Sequence, residues 1–292
     1  DEQHRFGVAQ RLALKNKGRD VHQLMMSATP IPRTLAMSFF ADLDVSVIDE
    51  LPPGRTPIKT RLVNNVRRAE VEGFVLNICR KGQQAYWVCP LIEESETLQL
   101  QTATETLEQL QAALPELNIG LVHGRMKAAE KAEVMAEFAA GRLNVLVATT
   151  VIEVGVDVPN AALMVIEHAE RMGLAQLHQL RGRVGRGAAE SVCVLLFAEP
   201  LSELAKARLK VIYEHTDGFE IARQDLNIRG PGEFLGARQS GVPMLRFANL
   251  EEDLHLLEQA REIAPLLIEQ NPEIVEAHLA RWLSSREGYL GV

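Results

Sequence analysis

Hydrophobic and polar positions divide this chain into two regimes. Between residues 58 and 198, short apolar runs recur at 58–64, 84–92, 119–124, 144–150, 162–169 and 191–198. Each is strand-length and rich in Val, Leu, Ile or aromatic residues. Stretches with helical periodicity separate most of them, at 66–80, 97–114, 127–140 and 175–184. Strand and helix alternating in this way predict a parallel sheet covered on both faces, because a parallel crossover needs a connecting helix. Ligand sites in such a sheet are expected at the carboxyl ends of its strands.

After about residue 200 the strand pattern stops. Helices are predicted over 201–215 and 219–227, then a Gly/Pro-rich loop at 230–243, then helices near 250–270 and 273–285. Ahead of the regular region, 22–29 reads as a buried strand turning into a loop. Pro30 and Pro32 open an apolar helix, and 44–52 reads as a further strand. The run Pro52–Pro57, with three prolines and a glycine, is the best linker candidate. Residues 93–111 are rich in Glu, Gln and Thr and suggest a solvated helix. There is no internal repeat or low-complexity tract.

Composition narrows this modestly. A chain of 292 residues, 47% hydrophobic and 24% charged, has room for one large or two ordinary globular domains with a core that needs no staples. Cys79, Cys89 and Cys193 are widely spaced in apolar surroundings, and read as small buried hydrophobes rather than as a disulfide or zinc site. No apolar run approaches the length of a membrane span, and the first residues do not read as a signal peptide. A net charge of −8 argues against holding nucleic acid by bulk positive charge, but leaves room for a local basic track.

Several constellations could carry chemistry. Asp1 and Glu2 are a carboxylate pair of the kind that handles Mg²⁺ and water beside a nucleotide. Yet the sequence contains no G-x-x-x-x-G-K-[ST] loop to cradle the phosphates. The densest candidate is Gln179–Arg186, with three arginines and two glycines in eight residues. Gly182 and Gly185 suit close backbone approach, and Arg183 and Arg186 are expected on one side of a helical turn. Forked guanidiniums so placed suit a triphosphate; a solvated basic turn would use the same residues. In 148–159 a strand ends in Thr149 and Thr150, then leads to Gly155 and Asp157. Hydroxyls there suit phosphate contact, and Asp157 could accept from a ribose hydroxyl or an arginine; helix capping is the plainer reading. Ser27–Thr29 and His123–Gly124 are ambiguous strand-end groups. No His, Cys or Asp pair has metal-site spacing. The loop 227–241 carries four glycines with Arg229, Arg238 and Gln239. Phe234 and Leu235 would anchor it.

Taken in order, these pieces resemble the motifs of superfamily 2 helicases. Asp1–His4 looks like motif II, Ser27–Thr29 motif III, Ala148–Asp157 motif V and Gln179–Arg186 motif VI. The flanks of the first two, and the loop after the helical pair, resemble the RecG family of bacterial branched-DNA translocases. The resemblance implies a RecA-like α/β fold: residues 1–55 as the last part of helicase lobe 1, 56–200 as lobe 2, and 201–292 as helical hairpin, translocation loop and helical tail. It implies an ATP-dependent DNA helicase of which this is the C-terminal portion. The phosphate loop would then lie before Asp1, and these residues should be inactive alone.

By the same resemblance ATP and Mg²⁺ are the cofactors. Asp1 would hold Mg²⁺ through water and Glu2 would activate the attacking water. Arg183 and Arg186 would act as arginine fingers, while Gly155, Asp157 and Gln179 line the nucleotide cleft. His4, Ser27 and Thr29 would couple nucleotide state to DNA grip. Thr149, His123 and Gly124 would touch the backbone of one strand, and Arg208, Arg229 and Gln239 would couple lobe closure to duplex movement. The implied partner is branched DNA, at replication forks and Holliday junctions, with single-strand-binding protein a candidate addition. The implied setting is the bacterial cytoplasm at the nucleoid, with no membrane and a monomeric parent. Two alternatives stay open: a motor of the transcription-repair coupling (Mfd) family, which the ending disfavours, and a non-catalytic nucleic-acid-binding module.

Overall fold

In a computed structural model of the chain, the described residues are 57–89, 96–149, 157–187, 190–229 and 254–283, with a few isolated positions before 57. The chain divides into two compact units, Ser46–Phe234 and Asp1–Val45 with Leu235–Val292.

The larger unit is built on six parallel strands: β1 (Lys59–Asn64), β2 (Gln84–Val88), β3 (Ile119–Val122), β4 (Val145–Ala148), β5 (Ala161–Ile166) and β6 (Val192–Phe197). Their order across the sheet is β1-β6-β5-β2-β4-β3. Every apolar run expected to be a strand in this region is one. Apart from Gln84 at the start of β2, the central strands are apolar and almost wholly buried, as a sheet covered on both sides requires. Edge strand β1 differs, exposing Lys59 and Arg61 while turning Thr60 and Leu62 inward.

Connecting helices are α1 (Arg68–Arg80), α2 (Glu96–Ala113), α3 (Ala128–Ala139), α4 (Leu174–Arg181), α5 (Glu203–Glu214) and α6 (Gly218–Arg229). Successive side chains of a strand point to opposite faces, so neighbours Tyr86 and Trp87 join different cores. Tyr86, Leu146, Met164 and Leu195 pack with Phe138 of α3, Leu177 and Leu180 of α4, and Leu209 and Ile212 of α5. Trp87, Val147, Val165 and Val194 pack with Val71 and Val75 of α1 and Leu110 of α2. The Gln/Glu/Thr-rich α2 is solvated on one side only; Ala103, Thr106 and Leu110 are buried.

Helices α5 and α6 lie in the same compact unit as the sheet, where Leu209, Ile212 and Ile221 complete its first core. Ser202 caps α5, its hydroxyl accepting from the Ala205 amide at 3.1 Å. In the other unit, α7 (Leu254–Gln270) and α8 (Pro272–Leu283) are separated by Asn271 alone. The Asn271 amide still donates to the Leu267 carbonyl at 2.9 Å, and Pro272 takes the first helical position, where no amide hydrogen is needed.

Candidate nucleotide and nucleic-acid site

The arginine-rich segment is not a helical turn. Helix α4 ends at Arg181; Gly182 and Arg183 donate to the His178 and Leu180 carbonyls at 3.0 Å each. The chain then reverses at Gly185, whose φ is +83°, a conformation L side chains rarely adopt. This reversal overturns the expected helical spacing of Arg183 and Arg186. Gly182, at φ −67°, needs no glycine freedom. The close approach belongs instead to Gly187, where a Cβ would collide with the Pro159 carbonyl oxygen.

That contact brings the turn against the loop before β5. There the Arg186 Nη1 lies 3.3 Å from Asp157 Oδ1, with 33% and 57% of the two side chains exposed. Asp157 therefore meets an arginine, one of the two partners its position suggested. Beneath them Tyr86 is buried, its ring centroid 4.9 Å from that of Phe138. Burial pushes the Tyr86 phenol up to about 12, while Arg183 and Arg186 pull it down and Asp157 pushes it up. All three charges thus act on one hydroxyl. Gln179 is half-buried on α4.

This cluster sits at the amino ends of the strands, contrary to the carboxyl-end expectation. Asp157 precedes β5, and Arg181, the residue where α4 ends, reaches Thr60 near the start of β1. The crossover explains it: α4 begins beyond the carboxyl end of β5 and must run back before β6 can start parallel.

The carboxyl ends hold a second group. His123 and Thr149 each directly follow neighbouring strands β3 and β4, whose last residues Val122 and Ala148 are paired. The Thr149 amide donates to the Val122 carbonyl at 3.2 Å, and Lys131 Nζ donates to the exposed Gly124 carbonyl at 2.9 Å. His123 Nδ1 is buried without a hydrogen-bond partner. Burial, with the cations Lys131 and Arg125 nearby, holds its pKa below the usual 6.5.

Sequence reasoning passed over a third group. Glu167, 7% exposed, directly follows β5, accepts from Trp87 Nε1 at 2.9 Å and pairs with Arg68. Arg68 also pairs with Glu72 at 3.0 Å and stacks over Trp87 with its guanidinium carbon 5.0 Å from the ring centroid. A carboxylate directly after an apolar strand was the available signal.

Arg208 on α5 donates to the Met172 and Glu170 carbonyls, both at 3.1 Å, so it holds protein backbone here. Arg229 closes α6. Asp1, Glu2, His4, Ser27, Thr29, Gly155 and Gln239 lie outside the described residues. Cys79, Cys89 and Cys193 are buried and free, as expected. Among the described residues, no His/Cys/Asp/Glu cluster could hold a metal and no helix is long and apolar enough to cross a membrane.

Comparison with known proteins supplies the class and then the family. The family described as "Helicase conserved C-terminal domain" matches residues 70–188, from within α1 through the arginine turn, with strands β2 to β5. The fold is therefore that of a helicase C-terminal lobe. A second family, "ATP-dependent DNA helicase RecG, domain 3, C-terminal", matches residues 215–283. The ATP-dependent DNA helicase RecG of Acidithiobacillus ferridurans is 59% identical over 99% of this chain, and that of Escherichia coli K12 58% identical over 99%. The Thermotoga maritima RecG is 56% identical over 90% of the chain and 34% of its own length. A solved structure of RecG bound to a three-way DNA junction, 48% identical, matches 83% of this chain and 32% of its own with a TM-score of 0.64. The chain belongs to the RecG family. It spans 42% of the length of the first two relatives.

Proposed function

We propose that this chain is the C-terminal motor portion of an ATP-dependent DNA translocase acting on branched DNA. The observation that carries the reading is the turn at 183–187 packed on the 157–159 loop, with Arg186 paired to Asp157 and the charges of Arg183 and Arg186 both acting on the Tyr86 phenol. Forked guanidiniums carried on such a turn are a donor set that fits a polyphosphate. An exposed ion pair of this kind is worth only ~0–1 kcal/mol. A phosphate arriving with more charge can therefore take Arg186 from Asp157 at little cost.

Bound ATP would supply the phosphoanhydride whose cleavage drives movement. Arg183 and Arg186 act as arginine fingers, with Gln179, Gly155 and Asp157 beside them. Asp1 and Glu2 are the proposed Mg²⁺ and water-activating residues. Thr149, His123 and Gly124, at the other end of the sheet, hold the backbone of one DNA strand without reading sequence. His4, Ser27, Thr29, Arg208, Arg229 and Gln239 link nucleotide state to duplex movement. Residues 1–55 supply the end of lobe 1, 56–200 lobe 2, and 201–292 the translocation elements.

Replication forks and Holliday junctions are the proposed substrates, in the bacterial cytoplasm at the nucleoid. The full protein works as a monomer, with single-strand-binding protein as a further partner. The test is ATP hydrolysis and strand separation by a full-length protein carrying this chain, on three-way junction and on linear duplex. Junction DNA should stimulate both; a protein that hydrolyses no ATP with junction present sinks the reading.

A further inference from the structure

We infer that Asn160 is a positioning residue for the nucleotide site, holding the loop that carries Asp157 at the place where the arginine turn meets it. The starting observation is Gln84, the one amide among the buried central strands. It is 2% exposed, and a buried amide is costly unless its donors and acceptor are met. Here they are met by neighbouring connections. Gln84 Nε2 donates to the Phe138 carbonyl at 2.6 Å and the Leu143 carbonyl at 2.7 Å, while its Oε1 accepts from Asn160 Nδ2 at 3.3 Å. Asn160 Nδ2 also donates to the Gly82 carbonyl at 2.9 Å, and the Asn160 carbonyl accepts from the Gln84 amide at 3.0 Å. The α1–β2 turn, the α3–β4 loop and the loop before β5 are thus tied together at one pair of amides.

The strand ladder alone does not fix this loop. Strands β2 and β5 pair parallel, but the register breaks at once: Gln84 is opposite Ala161 and Ala85 opposite Leu163, so Ala162 is passed over. Such an irregularity disrupts the ladder at the foot of the loop, and Asn160 supplies a tie there. Beyond it the loop is short and firmly held. The Ala161 amide donates to the Val158 carbonyl at 3.0 Å. Val158, 2% exposed, is sunk in the first core together with Tyr86 and with Val184 of the arginine turn. The Pro159 carbonyl faces Gly187, and Asp157 meets Arg186 at 3.3 Å. Releasing Asn160 therefore shifts Pro159 and Asp157 against the turn that carries Arg183 and Arg186. Small misplacements of groups that clamp a ligand are costly.

This rests on the proposed function, and its test separates the two. Affinity for a fluorescent ATP analogue is measured on the full-length enzyme, with and without Asn160→Ala, in the wild-type and Arg186→Ala backgrounds. Asn160→Ala should weaken binding roughly tenfold in the wild-type background, the scale of one lost hydrogen bond. In the Arg186→Ala background the same change should cost less than about threefold, because residues that act through one another are not additive. Asn160→Asp, which turns a carboxylate toward the Gly82 and Gln84 oxygens, should weaken binding more than Asn160→Ala. A merely structural role would lower the melting temperature and leave affinity unchanged in both backgrounds, which would overturn the positioning role alone. An equal loss in both backgrounds would overturn it too, since the effect would not pass through the arginine turn. Should Asn160→Ala fail to fold, Asn160→Ser, whose hydroxyl is too short to reach both acceptors, is read in the same cycle. A wild-type enzyme that neither binds the analogue nor hydrolyses ATP with junction present would overturn the proposed function and this role with it.

Discussion

Arg186 and Asp157 face each other across 3.3 Å, joining a turn that follows α4 to a loop that precedes β5. The two lie 29 positions apart in sequence, yet both stand at the amino ends of the strands. Gly187 fixes the distance between their backbones, because its missing Cβ is where the Pro159 carbonyl lies.

Arg186→Ala in the full-length enzyme should reduce ATP turnover by roughly 10³-fold or more, the scale of a lost arginine finger. Junction binding, measured by fluorescence anisotropy, should stay nearly unchanged. Stability should change by no more than about 1 kcal/mol, because the pair is exposed. Loss of binding in step with turnover would show that the role is misassigned.

Gly187→Ala should cost about 1–3 kcal/mol in urea unfolding, since the added methyl must push the Pro159 backbone aside. Gly182→Ala, at an ordinary φ of −67°, carries no such backbone strain. Equal losses at the two glycines would contradict the packing described.

Arg68→Met should destabilise by ~3–5 kcal/mol, because it leaves the Glu167 carboxylate buried without its cation. The double change Arg68→Met with Glu167→Leu should recover much of that loss, since replacing a whole buried pair is often neutral. By contrast, Arg142→Ala, which removes an exposed pair with Glu137, should leave stability nearly unchanged. Chemical denaturation of all three variants tests the contrast.

Stability should fall as pH rises above about 9, the ordinary thiol value. Burial pushes Cys89 and Cys193 up to about 12 and Cys79 up to about 11. Between those limits the unfolded chain loses its thiol protons while the folded chain keeps them, so alkali draws the protein toward unfolding. Cys193→Ala should flatten this slope, and the thiols should react with a colorimetric reagent only after unfolding. Rapid labelling of Cys193 in the native protein would be the contrary result.

His123 should titrate below its usual 6.5, burial being the main cause. The folded chain resists a proton that the unfolded chain accepts, so the stability it contributes is present above 6.5 and is lost as pH falls. An imidazole NMR titration of the protein reads the midpoint directly.

Much of the sheet was legible in the sequence because its signals are local. A strand buried on both faces must be apolar along its length, and a parallel neighbour demands a helix between. The runs that became β2, β4, β5 and β6 therefore announced themselves, and glycine-spaced arginines marked 179–186 as a site. The pairing of Asp157 with an arginine was within reach for the same reason: both carry charge near the ends of adjacent elements.

What each arginine does depends on residues distant in sequence, and no local pattern carries that. Three similar residues, Arg181, Arg183 and Arg186, receive different surroundings. Arg181 is drawn into the carbonyls of α5 and its exit, while Arg186 is left half-exposed beside Asp157, because the helix ends and Gly185 turns the chain between them. Tyr86 and Trp87 are adjacent, but the pleat sends one under the arginine turn and the other to the Arg68–Glu167 pair. The sequence by itself determined the elements and the residue types that could meet a phosphate. Only the tertiary structure decided which end of the sheet they occupy and which charges are spent on holding the protein, since the path of a crossover and the desolvation of a side chain are set by everything packed around them.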